Sequence, residues 1–216
     1  MLLLEAGKRS SERELRVNGR RWLTFQNKDM NAGYKTVPQV HCYRRENDYS
    51  LGQGLGGGTA INFGLYMVGC RDNYNLWAQI VDDDSFRWEH NQSRFKSLET
   101  FHGDILDKSH QKFAAPNMDD HGSDGVLHIG YATEWENDLA PILEVFEKAG
   151  FTLNLDPDSG NPLGISLCIN SAYQGLRTTA TDLLKRCGNN LIIITDLPVQ
   201  RVCLDITKAV GVESNG

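Results

Sequence analysis

A basic surplus is missing from this chain: its 22 Lys and Arg stand against 28 Asp and Glu, a net charge of −6. Phosphate backbones are bound through clustered cations, so a nucleic-acid partner is excluded. Long apolar runs are missing as well. The opening "MLLLEAGKRS" turns polar at Glu5, too soon for the apolar core of a secretory leader and far too soon to cross a bilayer. No membrane span is expected, and an intracellular setting is the default. Cysteine pairs are absent: Cys42, Cys70, Cys168, Cys187 and Cys203 are odd in number, far apart and never in a CxxC step. Neither a disulfide framework nor a zinc site is indicated, and a reducing compartment fits. No other metal-ligand spacing is visible, nor any internal repeat or low-complexity tract. The sequon Asn91-Gln92-Ser93 stands alone. What is left, 216 residues of which 40% are hydrophobic and 23% charged, is the composition of a globular protein with one large domain or two small ones.

Glycine is what the chain has in abundance, and six of its 21 glycines fall within "GQGLGGGTAINFG", residues 52–64. An ordered glycine gives up more conformational freedom than any other residue, so such density asks for a physical return. Consecutive glycines let main-chain N–H groups approach a ligand with no Cβ in the way, and a helix starting just after them turns its amides toward an anion such as a pyrophosphate. The loop lacks the Lys-Ser or Lys-Thr ending of a nucleoside-triphosphate loop, which argues against triphosphate hydrolysis, and it does not follow a clear strand as a first dinucleotide turn would. A glycine-rich surface loop without a ligand is the competing reading.

Around the loop, strand and helix patterns alternate. "MLLLEAG" reads as a buried parallel strand that ends in an acid and a glycine. In a dinucleotide fold an acid at the end of the second strand accepts hydrogen bonds from ribose hydroxyls, after a Gly-rich first turn; no such turn precedes Glu5, and a surface Glu on an ordinary strand is the plainer alternative. Residues 8–33 are polar and weakly periodic. "YKTVPQ" is extended because Pro38 biases Val37 away from helix. "TAINFGLYMV" predicts a short buried helix. "DNYNLWAQI" and "FRWEHNQSRFKSLETF" predict two amphipathic helices, the second with Trp88, Asn91, Phe95, Leu98 and Phe101 at helical steps. Residues 104–123 read as a loop or domain crossing. "GVLHIG" and "GISLCIN" read as strands, "EWENDLAPILEVFEKAG" as a helix closed by Gly150, and "GLRTTATDLLKRCG" as a helix capped by Gly188. "NLIIITDLPVQRVCLDITKAVGVE" supplies two or three β segments. The class is α/β, with α+β elements.

These pieces, in this order, resemble the glucose-methanol-choline (GMC) family of flavin-dependent oxidoreductases. The family's first signature has a glycine-rich loop, a Gly-Gly-Ser-Ser or similar step, Ile-Asn, a variable run, then Tyr, an acid or amide, and Trp. It is similar to "GLGGGTAIN…NYNLWA", from Gly54 through Asn62 to Trp77 and Ala78. "LLLEAG" resembles the family's second strand, "YKTVPQ" its approach to the loop and "FRWEHNQSRFKSLETF" its Trp-containing helix pair. "HGSDGVLHIG" resembles the entry to its substrate domain, "GLRTTATDLL" the helix after a Gly-x-Arg step, and the final β segments the return to the flavin domain. Nearly the whole chain is covered. The fold implied is a partial Rossmann-like FAD/NAD(P)-binding domain, residues 1–119 and 190–216, with part of a GMC substrate-binding domain, residues 120–189.

The resemblance implies FAD as cofactor, a small-molecule alcohol as substrate, and oxidation of its CH–OH group. Glu5 matches the acid on the adenosine ribose, and Gly52, Gly54, Gly56, Gly57, Gly58 and Thr59 match the loop beside the cofactor. Asn62, Phe63 and Gly64 fall where the family approaches the flavin ring, and Val199 matches a residue whose main chain meets the adenine end. Gly58 stands where Ser is common, which removes a hydroxyl contact, and Phe63 where Gly is common, which crowds the ring pocket. The family's G-x-G-x-x-G turn would precede Glu5, and its catalytic His would follow "AVGVESNG", so the chain is expected to be a fragment with no catalytic residue of its own. The alternative is a flavin-free remnant acting as a binding or structural protein. None of His41, His90, His102, His110, His121 and His128 takes the base role by match, and each reads as a surface or packing histidine. Asp82, Asp83 and Asp84 read as a solvated turn. The oligomeric state is left open.

Overall fold

Two apolar runs at nearly opposite ends of the chain meet as neighbouring strands. In the computed structural model, which describes residues 1–9 and 16–214, the elements in chain order are strand β1 (Leu2–Leu4), helix α1 (Arg21–Gln26), strands β2 (Tyr34–Lys35) and β3 (Asp48–Tyr49), helix α2 (Gly58–Ile61), strand β4 (Leu65–Tyr66), helices α3 (Arg71–Val81) and α4 (Trp88–Leu98), strands β5 (Glu99–His102) and β6 (Leu127–Gly130), helix α5 (Leu139–Lys148), and strands β7 (Ile169–Asn170), β8 (Ala172–Tyr173), β9 (Leu176–Arg177), β10 (Ile192–Ile194), β11 (Val199–Asp205) and β12 (Lys208–Ser214). This is the α/β mixture expected. Of the polar stretch 8–33, residues 10–15 lie outside the described residues. The chain forms two compact units, Met1–Phe63 with Thr179–Gly216, and Gly64–Thr178.

In the first unit β1 pairs in parallel with β10, Leu2 opposite Ile192 and Leu4 opposite Ile194. Continuous Leu and Ile runs predict a strand with both faces covered, but this pair is not buried: Leu2 is 56% and Ile192 62% exposed. Parallel pairing needs a long connection. Here that connection is most of the chain. Met30, Ala60 and Ile61 form a small core where α1 and α2 meet. β11 and β12 make an antiparallel hairpin whose register shifts between Cys203 and Leu204 and whose turn places Ile206 at a positive φ of 57°.

The second unit is built on a four-stranded sheet in the order β4-β7-β6-β5, with β5 and β6 parallel and the other pairs antiparallel. Side chains on a strand alternate between faces. Phe101, Ile129 and Ile169 accordingly join Leu143 of α5, Phe113, Tyr131 and Leu167 in the unit's core. Trp88, at the start of α4, is almost fully buried, its ring centroid 5.7 Å from that of Tyr74 on α3. α3 stops where Asp82 takes a left-handed conformation, φ 54°.

Three local readings are corrected by long-range pairing. The helical period through Phe101 breaks at Glu99, because Glu99 to His102 pair with Leu127 to Gly130 as a strand. The apolar run after the glycine loop is helical only to Ile61: Asn62 is extended, Gly64 has φ 75°, and Leu65 and Tyr66 pair with β7. The segment before Gly188 is not one helix. Leu176 and Arg177 pair with Ala172 and Tyr173, Ala180–Arg186 is a 3-10 helix opened by a Thr179–Asp182 capping box, and Cys187 ends it in extended backbone, so Gly188 supplies no left-handed cap.

Candidate functional site

Among the described residues, main-chain hydrogen bonds at the end of β1 run to the glycine loop, to β10 and to the segment after it. The Glu5 N–H donates to the Ile194 carbonyl at 2.9 Å, and the Glu5 and Gly7 carbonyls accept from Leu197 and Asp196, both at 3.0 Å. One carboxylate oxygen of Glu5, Oε1, accepts the N–H of Gly7 at 2.8 Å and that of Gly54 at 2.9 Å. Two N–H groups on one charged oxygen make a strong local staple. The loop can lie this close only without side chains: a Cβ on Gly52 would sit 2.2 Å from the Gly57 carbonyl oxygen, and one on Gly54, where φ is +105°, 2.6 Å from the Lys8 carbonyl oxygen. Leu55 closes the arrangement by donating to that same Lys8 oxygen at 3.2 Å.

Other loop positions face outward. A Cβ built on Gly57 or Gly58 would meet no atom within 4 Å, so the bare main chain borders open space there. Thr59 Oγ1 donates to the Gly56 carbonyl at 2.5 Å and accepts from the Ala180 N–H at 2.9 Å, fixing the loop to the start of the 3-10 helix. A cavity of about 330 Å³ lies alongside, lined by Leu55, Leu184 and Ile193 with Arg9, Arg16, Lys185, Thr181 and Asp182. Burial works against the charge on Asp182. Hydrogen bonds from Lys185 and the Thr179 N–H, with the Arg16 guanidinium, outweigh it and hold its carboxyl below the usual range.

Glu5, the glycines from Gly52 to Gly58 and Thr59 are therefore brought together. Asn62 sits at the end of α2, its N–H on the Gly58 carbonyl at 2.9 Å. Phe63 meets Trp22 edge-on with ring centroids 5.1 Å apart and lies 5.7 Å from Phe25. Val199 opens β11, two residues beyond the Leu197 bond to Glu5. Gly64 is the first residue of the second unit.

A buried charged group in the second unit escaped the sequence reading. The side chain of His121 is 2% exposed, with Nδ1 3.4 Å from Glu99 Oε1 and Nε2 3.2 Å from Asp156 Oδ1. Its ring stacks on Phe101 at 3.9 Å. Desolvation would lower its pKa, but the hydrogen bonds and charges of Asp156 and Glu99 prevail and push it up to about 9. Glu99 is also satisfied by the Gly122 N–H and the Tyr66 hydroxyl, both at 2.9 Å. The available signal was the glycines of "HGSDG": a Cβ on Gly122 would lie 2.0 Å from the Lys96 carbonyl oxygen and one on Gly125 2.1 Å from the Glu99 nitrogen. These glycines let the main chain on either side of residues 122–125 lie against Lys96 and Glu99. Among the described residues no set of three or more His, Cys, Asp or Glu is placed to hold a metal, and no helix is long and apolar enough to cross a membrane.

A family profile described as GMC oxidoreductase matches residues 34–216. The chain is 31% identical over 175 residues to pyranose dehydrogenase 2 of Leucoagaricus meleagris, covering 78% of this chain and 28% of that protein. It is 29% identical over 219 aligned positions to the alcohol dehydrogenase (acceptor) of Pseudomonas putida, covering 97% and 36%. The structure of an FAD-dependent oxidoreductase from Chaetomium thermophilum superposes with a TM-score of 0.83 at 21% identity, over 99% of this chain and 37% of that one, a likeness of fold. The chain spans about a third of the length of the curated relatives it matches.

Proposed function

We propose, from the premise that the chain belongs to the GMC oxidoreductase family, that its first unit binds FAD and serves the oxidation of a CH–OH group of a small alcohol or sugar. The carrying observation is the open space beside Gly57 and Gly58, in a loop whose Gly52 and Gly54 are consumed by close packing. FAD, when bound, supplies the hydride acceptor. The residues present fit such a group. Glu5 commits Oε1 to the loop and has Oε2 for a ribose hydroxyl, while Arg9, Arg16 and Lys185 outweigh Asp182, which pairs with the last two, and leave the cavity lining with a positive surplus from which a diphosphate gains. Asn62, Phe63 and Gly64 follow toward the flavin end, and Val199 toward the adenine. No residue of this chain is assigned the proton of the substrate hydroxyl. The same reading takes residues 1–119 and 190–216 as the flavin side and 120–189 as a substrate-side insert; the compact units, which divide at Gly64 and Thr179, do not follow those bounds.

Titrating the purified chain with FAD and following flavin fluorescence tests this: one saturable site per chain, displaced by ADP, is the expected result. Glu5→Gln keeps one oxygen for the staple and puts an amide where a hydroxyl needs an acceptor, so affinity drops about tenfold with the fold retained. Absence of saturable binding in the unmodified chain overturns the reading and leaves the flavin-free role.

A further inference from the structure

One carboxylate of the second unit is buried without full satisfaction. Asp158 is 4% exposed; its Oδ1 accepts the Val68 N–H at 3.1 Å, and its Oδ2 has no hydrogen-bond partner among the described residues. The buried hydroxyl of Tyr131, whose pKa is raised by burial and by the charges of Asp156 and Asp158, has none either. The ionisable groups that interact with Asp158 are Tyr66 on β4, Glu99 on β5, His121, Asp156 on its own segment and Tyr131 beyond β6, and Val68 before α3 donates its N–H to it. Against His121 alone, the carboxylates of Glu99, Asp156 and Asp158 carry an excess of negative charge in a dry place, which is costly.

The same segment grips its surroundings. Gly160, at φ +91°, lies so near Trp88 that a Cβ there would be 2.7 Å from the indole. Its carbonyl accepts the Arg71 N–H at 2.8 Å, and the Arg71 guanidinium reaches the Ser159 carbonyl and sits over Trp88, 5.9 Å from the ring centroid. Tyr74 donates from its hydroxyl to the Val68 carbonyl at 2.7 Å. Opening residues 158–160 therefore frees the start of α3 and uncovers Trp88.

We infer that Asp158 is a proton-operated latch: neutral, it holds residues 158–160 against Val68, Arg71 and Trp88, and ionised, it loosens them. Desolvation dominates its environment, opposed by the Val68 hydrogen bond and the His121 charge, and pushes its pKa up from 3.8 to about 6. The sign follows from linkage. The closed state binds the proton more tightly than an opened, hydrated one, so opening is hardest below about pH 4, becomes easier as pH rises to about 6, and is level beyond. His121, with its pKa near 9, stays charged throughout this window and does not confound it.

Hydrogen exchange of the Val68 and Arg71 amides in the full chain, corrected for intrinsic rates, reads the latch between pH 4.5 and 7.5. Protection falls with rising pH by roughly 25-fold over this range. Asp158→Asn keeps an acceptor for Val68 and replaces the unpartnered carboxylate oxygen with an uncharged amide, so it removes the pH dependence and leaves these amides better protected at pH 7.5 than in the unmodified chain. Asp158→Ala, which lacks the acceptor, lowers protection at every pH. A residue that merely packs would make Asp158→Asn neutral or harmful at pH 7.5 with the profile unchanged, and that outcome overturns the proposal.

Discussion

Gly54→Val eliminates saturable FAD binding over the accessible concentration range, while the second unit keeps its hydrogen-exchange protection. Two costs fall on one position. At φ +105° a β-branched residue is strained by about 1–3 kcal/mol, and its Cβ would lie 2.6 Å from the Lys8 carbonyl oxygen. Backbone must move to relieve this, at about 1–3 kcal/mol more. The movement breaks the Leu55 bond to Lys8 and pulls the Gly54 N–H off Glu5, so the end of β1 and the loop part company. A combined loss of a few kcal/mol weakens binding by roughly 100-fold or more. Gly58→Val is the informative counterpart. Its Cβ enters open space, so thermal stability without ligand is unchanged, yet FAD binding weakens about tenfold if the nucleotide fills that space. Equal FAD affinity in Gly58→Val and the unmodified chain would place the ligand elsewhere.

The contrast between these glycines explains what could be read from the residues alone. Their density at 52–64 was legible because glycine is the residue that backbone crowding demands. Which glycines serve internal packing and which face outward was not, since that depends on Lys8 and Thr181, far away in the chain. Glu5 was legible as an acid ending an apolar strand, but its staple to Gly54 joins residues 49 positions apart. The pairing of Leu2–Leu4 with Ile192–Ile194 follows from two apolar runs of equal kind, although no local pattern names the partner. Where local and distant preferences disagreed, the distant one won. The helical period of Trp88 to Leu98 continues in sequence to Phe101, but Phe101 gains more beside Ile129 in the sheet core than on the flank of a helix. His121 was unreadable for the same reason: its partners lie 22 residues before and 35 after it, in segments that carry no charge motif of their own.

That histidine carries the second large effect. His121→Gln lowers the stability of the second unit by about 3–5 kcal/mol at pH 7, the usual result of stripping the counter-charge from buried carboxylates. Glutamine retains polar atoms near Glu99 and Asp156 but brings no proton-borne charge, and it forfeits the stack on Phe101. The pH profile separates charge from packing. The folded-state pKa of His121 is raised to about 9 from 6.5, so its contribution is fully present below about pH 6.5 and is lost as pH rises through about 9, a span worth roughly 3 kcal/mol for a side chain this deeply buried. Denaturant unfolding followed through exchange protection of core amides such as those of Ile129 and Leu143 should show stability falling across that range in the unmodified chain and a flat profile in His121→Gln. Parallel profiles in the two proteins would mean that the imidazole acts by shape alone. The alkaline limb also lies above the window assigned to Asp158, so the two groups divide the behaviour of one unit: Asp158 sets how readily an edge opens in mild acid, and His121 sets whether the buried carboxylates can be held at all.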